Sequence, residues 1–317
     1  MNALWTHFCA GLLAVGVMLP AAAAQPLISP AELAVLQEQP EVRVIDIRSP
    51  RDYEGGHIAG SVSAPYAEWR GPARDPGTLP PQDALVGLVR RLGVDAGTQA
   101  VIVSWGTDGL DTAGAARVYW TLKYLGLTQL SILNGGMVAW KAADLPLSLE
   151  PARIEPSAFI ARPDTSIVAT TEQVLSGVLA SPGNGQARLV DARPPAFYRG
   201  AAKVPDVAVA GTIAGAVDVP YTKWFKPGTG AFVSVEQART IVAAGPAATA
   251  AEETVTFCNT GHLAAADWFA LSELLGQKNV RLYPESLVEW ARDPALPMQD
   301  VPSRGQQILH KLKAVFG

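Results

Sequence analysis

The 317-residue chain repeats itself at a spacing of roughly 150 residues, which is the size of one ordinary domain. Matching segments follow one another in the same order in both halves: 44–48 with 189–193, 56–61 with 211–216, 65–69 with 220–224, and Trp140 with Trp290. Chance does not easily arrange so many matches in one order. The repeat therefore predicts a duplicated domain, so that any fold adopted by one half must also suit the other.

Each half alternates short apolar runs with helical patterns. The predicted strands are 42–45, 101–104 and 130–133 in the first half, and 189–190, 255–257 and 280–283 in the second. The predicted helices, 113–125 and 264–275, each end at a glycine. Strands that alternate with helices favour a mostly parallel sheet with helices on both faces. We therefore expect an α/β fold made of two tandem domains.

Composition shifts predict where these domains begin and end. The predicted segments are a signal peptide at 1–24, a first domain at 25–150, a linker at 151–165, a second domain at 166–302 and a tail helix at 303–317. The linker lacks periodicity and is rich in proline. The tail helix would place its apolar side chains on one side, which suits docking on its own domain or a fraying terminus; with Lys311 and Lys313, a membrane surface is the alternative.

The first residues are typical of an export signal. Residues 10–19 form an apolar stretch too short to span a bilayer, and Ala22 and Ala24 suit cleavage before Gln25. No Lys or Arg precedes the apolar stretch, which departs from the usual signal, and an uncleaved membrane anchor is the alternative. We expect a periplasmic or secreted protein with no stable membrane insertion after cleavage.

Charge and cysteine content exclude several classes of function. With 25 Lys and Arg against 29 Asp and Glu, the chain has no basic stripe to neutralise phosphates, so no nucleic-acid partner is expected. The two cysteines, Cys9 and Cys258, lie far apart and outside zinc-ligand patterns, so neither a metal nor a cofactor is expected. Signal cleavage would leave Cys258 alone, either as a buried apolar filler or as a reactive group.

The setting of Cys258 favours the reactive interpretation. A predicted strand ends at this cysteine, a short loop follows, and a predicted helix begins; the loop residues are Asn259, Thr260, Gly261, His262 and Leu263. Ligands of parallel sheets bind at the carboxyl ends of the strands. Loop N–H groups and the positive helix end would favour a thiolate, and equally a persulfide anion. Gly261 would allow the loop to turn inward.

Three motifs in this order carry a family resemblance: an Asp-x-Arg strand end at Asp191 and Arg193 (Asp46 and Arg48 in the first half), a glycine-flanked turn, and the Cys-headed loop. The mature chain resembles the two-domain rhodanese family of thiosulfate and 3-mercaptopyruvate sulfurtransferases. The resemblance implies that Cys258 takes sulfur from a small anionic donor, holds it as a persulfide and passes it to cyanide or a thiol. It also implies a non-catalytic first domain.

The chain departs from the family at the residues that contact the donor. The thiosulfate branch has a Lys two residues after the cysteine, where this chain has Thr260. The family's donor-binding Arg is replaced by Phe197, and Arg199 and Lys203 are nearby candidates to bind the donor instead.

Two further residues have open roles. Arg193 either pairs with Asp191 and bridges loops, or helps to bind the donor. His262 either supplies partial positive charge or a hydrogen bond, or points to solvent. In the first domain, Trp105 occupies the position that matches Cys258, so no nucleophile is expected there.

Competing functions depend on the residues around the loop. A phosphatase would need an Arg directly after the loop, where the chain has Ala264, and a thiol–disulfide oxidoreductase would need a second cysteine at Gly261. The remaining alternative is a periplasmic persulfide carrier or sulfur-species sensor with little turnover of small molecules. It differs from the enzyme in its acceptor and not in the loading step.

Overall fold

A computed structural model describes residues 24–179, 187–246, 251–303 and 305. The predicted signal peptide, apart from Ala24, and the predicted tail helix, apart from Ser303 and Gly305, lie outside the described residues. No helix in the described part is both long and apolar enough to cross a membrane.

The first half contains one five-stranded parallel sheet. Its strands are β1 (Leu27–Ile28), β2 (Val42–Asp46), β3 (Val62–Ser63), β4 (Gln99–Val103) and β5 (Leu130–Leu133). Its helices are α1 (Pro30–Leu36), α2 (Pro50–Glu54), α3 (Gln82–Arg91), α4 (Gly109–Tyr124) and α5 (Gly136–Ala142). The strand order is β1-β5-β4-β2-β3, and every neighbouring pair is parallel.

The second half repeats this plan around a four-stranded parallel sheet. Its helices are α6 (Thr171–Leu179), α7 (Pro195–Tyr198), α8 (Val235–Ala244), α9 (Leu263–Trp268) and α10 (Ser286–Trp290). Its strands are β6 (Ala187–Asp191), β7 (Thr212–Ile213), β8 (Val217–Asp218), β9 (Glu253–Phe257), β10 (Val280–Leu282) and β11 (Met298–Gln299). The parallel sheet has the order β10-β9-β6-β8, and β7 pairs with β11 in a small antiparallel ribbon.

The predicted α/β class is confirmed, and the differences from prediction lie at the ends of elements. Helix α4 begins at Gly109, one turn before the predicted start, because the Asp108 side chain accepts the N–H of Asp111 and caps the helix. The predicted helix 264–275 is α-helical only to Trp268 and continues as a π-helix over Phe269–Leu274. The predicted linker forms neither helix nor strand from residue 151 to 164.

The two halves share one hydrophobic core where α4 packs against α9. Tyr119 of α4 meets Phe269 edge-on, with ring centroids 5.0 Å apart. Beside them, Lys123 of α4 forms an ion pair of 2.7 Å with Glu273. Trp268, Phe269 and Trp290 are fully buried in the second half. This interface brings the first half directly against the loop that begins at Cys258.

Asp267 of α9 is a fully buried carboxyl group in the second domain. Its Oδ1 accepts a hydrogen bond of 2.8 Å from Nε1 of Trp224, whose indole is also fully buried. Oδ2 of Asp267 has no hydrogen-bond partner within the described part of the chain. Burial raises the pKa of Asp267 well above its ordinary value of 3.8.

We predict that Asp267→Asn makes the fold more stable at pH 8 and that this gain shrinks as the pH falls towards 4. The raised pKa means that the folded state binds the proton more tightly, so wild-type stability decreases as pH rises above about 3.8. Each tenfold difference in proton affinity corresponds to about 1.4 kcal/mol. Asparagine keeps an oxygen for Trp224 and carries no charge. Urea denaturation of both proteins between pH 4 and pH 8 measures the difference, and a difference independent of pH would contradict the prediction.

Candidate active site

Cys258 directly follows β9 at the carboxyl edge of the second sheet, and the loop 258–263 leads into α9. The residue is only 1% exposed, so its thiol is sheltered from solvent. The start of α10 holds the loop backbone: Leu287 N–H donates to the carbonyl of Cys258 at 3.2 Å, and Val288 N–H donates to that of Asn259 at 3.0 Å. The cysteine therefore lies in a loop fixed on one side by its own domain.

The side chain of Ser286 stabilises the turn from Cys258 to Gly261. Its Oγ accepts hydrogen bonds of 3.1 Å from the N–H groups of both Cys258 and Gly261, and donates one of 2.7 Å to the carbonyl of Tyr283. Ser286 is fully buried and has a φ of 57°. Sequence reasoning missed this residue because it lies 28 positions after Cys258, outside any local motif.

Gly261 has a φ of 64°, in the left-handed region that favours glycine. A Cβ atom here would lie 2.4 Å from Nη1 of Arg117 and 2.6 Å from the carbonyl oxygen of Pro284. A larger residue would therefore collide with the neighbouring domain as well as strain the turn.

The first domain holds three consecutive residues of the loop. Nη2 of Arg70 donates to the carbonyl of Thr260 at 2.9 Å, and Nη1 of Arg117 donates to that of Gly261 at 3.3 Å. The hydroxyl of Tyr66 lies 2.6 Å from Nδ1 of His262. None of these three first-domain residues was singled out from the sequence, because 144 to 196 positions separate them from their partners.

The contacts of His262 define its tautomer and charge. Its Nε2 lies 2.9 Å from the carbonyl oxygen of Leu110, which can only accept, so Nε2 carries the hydrogen. Nδ1 consequently accepts from the hydroxyl of Tyr66. Burial first, and then the charge of Arg70, lower the pKa of His262 to about 4. At neutral pH this residue supplies hydrogen bonds and no positive charge, and it does not point freely into solvent.

Arg193 combines the two roles considered for it. It is buried and forms an ion pair of 2.6 Å with Asp191, whose other contact is a 2.7 Å hydrogen bond from Oγ1 of Thr212. Its Nη2 also donates to the carbonyl of Gly211 at 2.8 Å. A longer bond of 3.4 Å runs from Nη1 to Oδ1 of Asn259 in the Cys loop. The guanidinium is thus mainly committed to the scaffold and touches the loop at one point.

Arg199 and Lys203 are both exposed residues. Nζ of Lys203 donates to the carbonyl of Val207 at 2.8 Å, and the charge of Arg199 acts on Asp218. Neither side chain forms a hydrogen bond or ion pair with residues 258–263 in the part of the chain that the structure describes. Their suggested contact with a donor stays a prediction.

The matching place in the first domain lacks a nucleophile. Trp105 stands where the second domain has Cys258, and its ring lies under the guanidinium of Arg48 at 4.6 Å. Gly106 replaces Asn259, and Nη1 of Arg48 accordingly has no hydrogen-bond partner among the described residues. A cavity of about 190 Å³ lies here; its lining includes Arg48, Tyr66, Asp111 and His262. Burial raises the pKa of Asp111.

We predict that Ser286→Ala destabilises the fold by about 2–4 kcal/mol, because it leaves the buried N–H groups of Cys258 and Gly261 without a hydrogen-bond acceptor. Guanidinium chloride denaturation measures the loss. Ser61→Ala is the matched control, since Ser61 is also fully buried but its Oγ has no partner within the described residues. Ala216 occupies the same place in the second domain. Equal effects of the two substitutions would contradict the assigned role of Ser286.

Comparison with known families matches the Rhodanese-like domain twice, over residues 29–143 and 177–293. These segments correspond to the two halves of the internal repeat and together make up most of the chain.

Curated relatives and a solved structure are similar over most of the chain. Thiosulfate sulfurtransferase of Azotobacter vinelandii is 31% identical over 275 residues, covering 86% of this chain and 96% of the relative. Sulfur carrier protein TtuD of Thermus thermophilus is 29% identical over 271 residues, covering 82% and 92%. The crystal structure of SseA from Escherichia coli, described as a 3-mercaptopyruvate sulfotransferase with the rhodanese fold, superimposes with a TM-score of 0.71. It is 24% identical and covers 83% of this chain and 99% of its own.

The similarity to SseA supports the fold alone. The domain matches and the curated relatives also identify the family and its activity. With both halves matched and a sulfurtransferase relative above 30% identity across most of both chains, this protein belongs to the rhodanese family and is a sulfurtransferase built from two tandem domains.

Proposed function

We propose that this protein moves a sulfane sulfur from thiosulfate, or from 3-mercaptopyruvate, to a thiophilic acceptor through a persulfide on Cys258. The observation that carries the proposal is the sheltered Cys258 at the head of a loop whose backbone is fixed by Ser286 and by two guanidinium groups. A thiosulfate sulfurtransferase among the relatives supports thiosulfate as the first donor to test.

The loading step balances without an oxidant or a cofactor. The Cys258 thiolate attacks the outer sulfur of thiosulfate, the sulfur–sulfur bond of the donor breaks, and sulfite leaves with the electron pair. With 3-mercaptopyruvate, the carbon–sulfur bond breaks instead and the pyruvate fragment takes the pair and then a proton. Cyanide or a thiolate next attacks the outer sulfur of the persulfide, and the Cys258 thiolate is regenerated.

The surroundings of Cys258 suit an anion at each stage. Cys258 and Gly261 direct their N–H groups to one oxygen of Ser286, which fixes the turn of the loop that begins at Cys258. The guanidinium of Arg117 is fully buried, and the charge of Cys258 acts on it. Burial of the cysteine also shelters a persulfide from reductants in bulk solvent.

The second candidate is a persulfide carrier that hands its sulfur to a protein partner. The similarity to a protein named as a sulfur carrier in Thermus thermophilus favours keeping this candidate. Both candidates require the same loading of Cys258 and differ in the acceptor.

We also propose that the chain is exported to the periplasm or secreted. The apolar stretch 10–19 and the small residues before Gln25 support this location. Cleavage there would remove Cys9 and leave Cys258 as the one thiol of the mature chain.

We predict that incubation with thiosulfate or 3-mercaptopyruvate adds one sulfur atom to the wild-type protein and none to Cys258→Ser. Intact-mass spectrometry before and after cyanide measures both half-reactions, because cyanide removes only a sulfane sulfur. Serine preserves the size of the side chain, so thermal denaturation should give the same midpoint for both proteins.

The acceptor separates the two candidates. Loading followed by fast release to cyanide or thiols supports the enzyme, whereas loading with slow release to every small acceptor supports the carrier. An adduct that persists in Cys258→Ser, or no adduct from either donor, would refute the proposed chemistry at Cys258.

A further inference from the structure

We propose that Arg70, contributed by the first domain, binds the anionic sulfur donor next to Cys258. This inference rests on the proposed function and names the residue that recognises the charge of the donor. In this arrangement the domain without a nucleophile supplies part of the substrate site.

The geometry places the Arg70 guanidinium on the Cys loop. Nη2 donates to the carbonyl of Thr260, two residues after Cys258, and Nη1 donates to the hydroxyl of Tyr66 at 3.0 Å. The side chain also lies over the Tyr66 ring, 5.5 Å from its centroid. These contacts orient the guanidinium and use two of its five N–H groups within the described part of the chain. The other N–H groups are available to a ligand.

The charge of Arg70 is not neutralised by a neighbouring carboxylate. It forms no ion pair with any described Asp or Glu, whereas Arg48 and Arg193 are each paired with an aspartate. A second guanidinium, that of Arg117, lies close enough that the charge of Arg70 lowers its pKa. Two neighbouring cations without paired anions are electrostatically unfavourable, and a bound anion relieves that repulsion.

One acidic group near Arg117 is Glu285, which directly precedes Ser286. Its charge acts on Arg117, but burial raises the pKa of Glu285. Glu285 is not in an ion pair with Arg70 or Arg117 among the described residues. No ion pair with Glu285 therefore neutralises either guanidinium group within the described part of the chain.

Other cations of the protein fit this role less well. Arg117 is fully buried, and it is occupied by the carbonyls of Gly261 and Gly77. Arg193 is buried in its pair with Asp191. Arg70 is only half-buried and lies at the loop, so a small anion can reach it from solvent. A planar guanidinium suits the oxygens of a thiosulfate or a carboxylate because it can donate two parallel hydrogen bonds.

The test measures equilibrium binding of thiosulfate to the full-length Cys258→Ser protein by titration calorimetry at low salt, with and without Arg70→Gln. Because the serine hydroxyl of this variant cannot accept sulfur, binding is read without turnover. We expect Arg70→Gln to weaken thiosulfate binding at least about tenfold, which is the scale of one lost charge contact near a protein surface. Glutamine keeps an N–H₂ group for Thr260, and Arg70→Lys, which keeps the charge, should weaken binding less.

A second anion distinguishes donor binding from loop positioning. Methanethiosulfonate carries one charge fewer than thiosulfate, so the loss caused by Arg70→Gln should be several-fold smaller for it. Arg74→Gln is the matched control, since Arg74 lies four residues away and its side chain is 87% exposed. It should leave both affinities unchanged.

The outcomes separate this inference from the proposed function. Unchanged thiosulfate binding in Arg70→Gln, equal losses for both anions, or no binding to Cys258→Ser would each overturn the role of Arg70. Arg70-dependent anion binding in a protein whose Cys258 is never loaded would support the anion site and refute the persulfide chemistry.

Discussion

The packing of α4 against α9 is the contact on which the site depends, because it joins a helix of one domain to the helix that follows the Cys loop of the other. Tyr119 and Phe269 form the apolar contact, and Lys123 pairs with Glu273 beside them. Arg117 is carried on the same α4 helix and reaches Gly261. A shared core thus fixes the distance between the first domain and the loop. Separating the domains would remove every first-domain contact from Thr260, Gly261 and His262 at once.

The duplicated scaffold explains how one copy could lose its nucleophile without losing its fold. The two Asp–Arg pairs have the same geometry, with a 2.6 Å ion pair and a further bond to a turn carbonyl in each domain. The loop that follows the matching strand differs between the two domains. Asn259 meets Arg193 in the second domain, whereas Gly106 leaves Arg48 to stack on Trp105. The Asp–Arg pair at the sheet edge is therefore the same in both domains, whereas the sequence of the loop beside it differs.

Sequence reasoning succeeded where the determining contacts are local. The strands β2, β5 and β9 were predicted to within a few residues because an apolar run identifies a buried parallel strand. The order of strand, cysteine, glycine-containing loop and helix was likewise contained in about twenty consecutive residues. Element ends were less accurate where a side chain decided them, as Asp108 does at the start of α4. The apolar pattern did not distinguish the π-helix at Phe269–Leu274 from the α-helix before it.

The contacts that the sequence did not reveal join positions far apart in the chain, and they determine the charge at the site. Arg70 and Arg117 have no ion-pair partner among the described residues, so an anion at the loop relieves their repulsion. A thiolate and a persulfide on Cys258 carry the same charge, and thiosulfate and sulfite carry the same charge as each other. In the proposed reaction, the loading step therefore conserves charge at the site. A fixed set of guanidinium groups can serve both the empty and the loaded loop, so the site can be built from arginines held in place by the loop carbonyls rather than from mobile lysines.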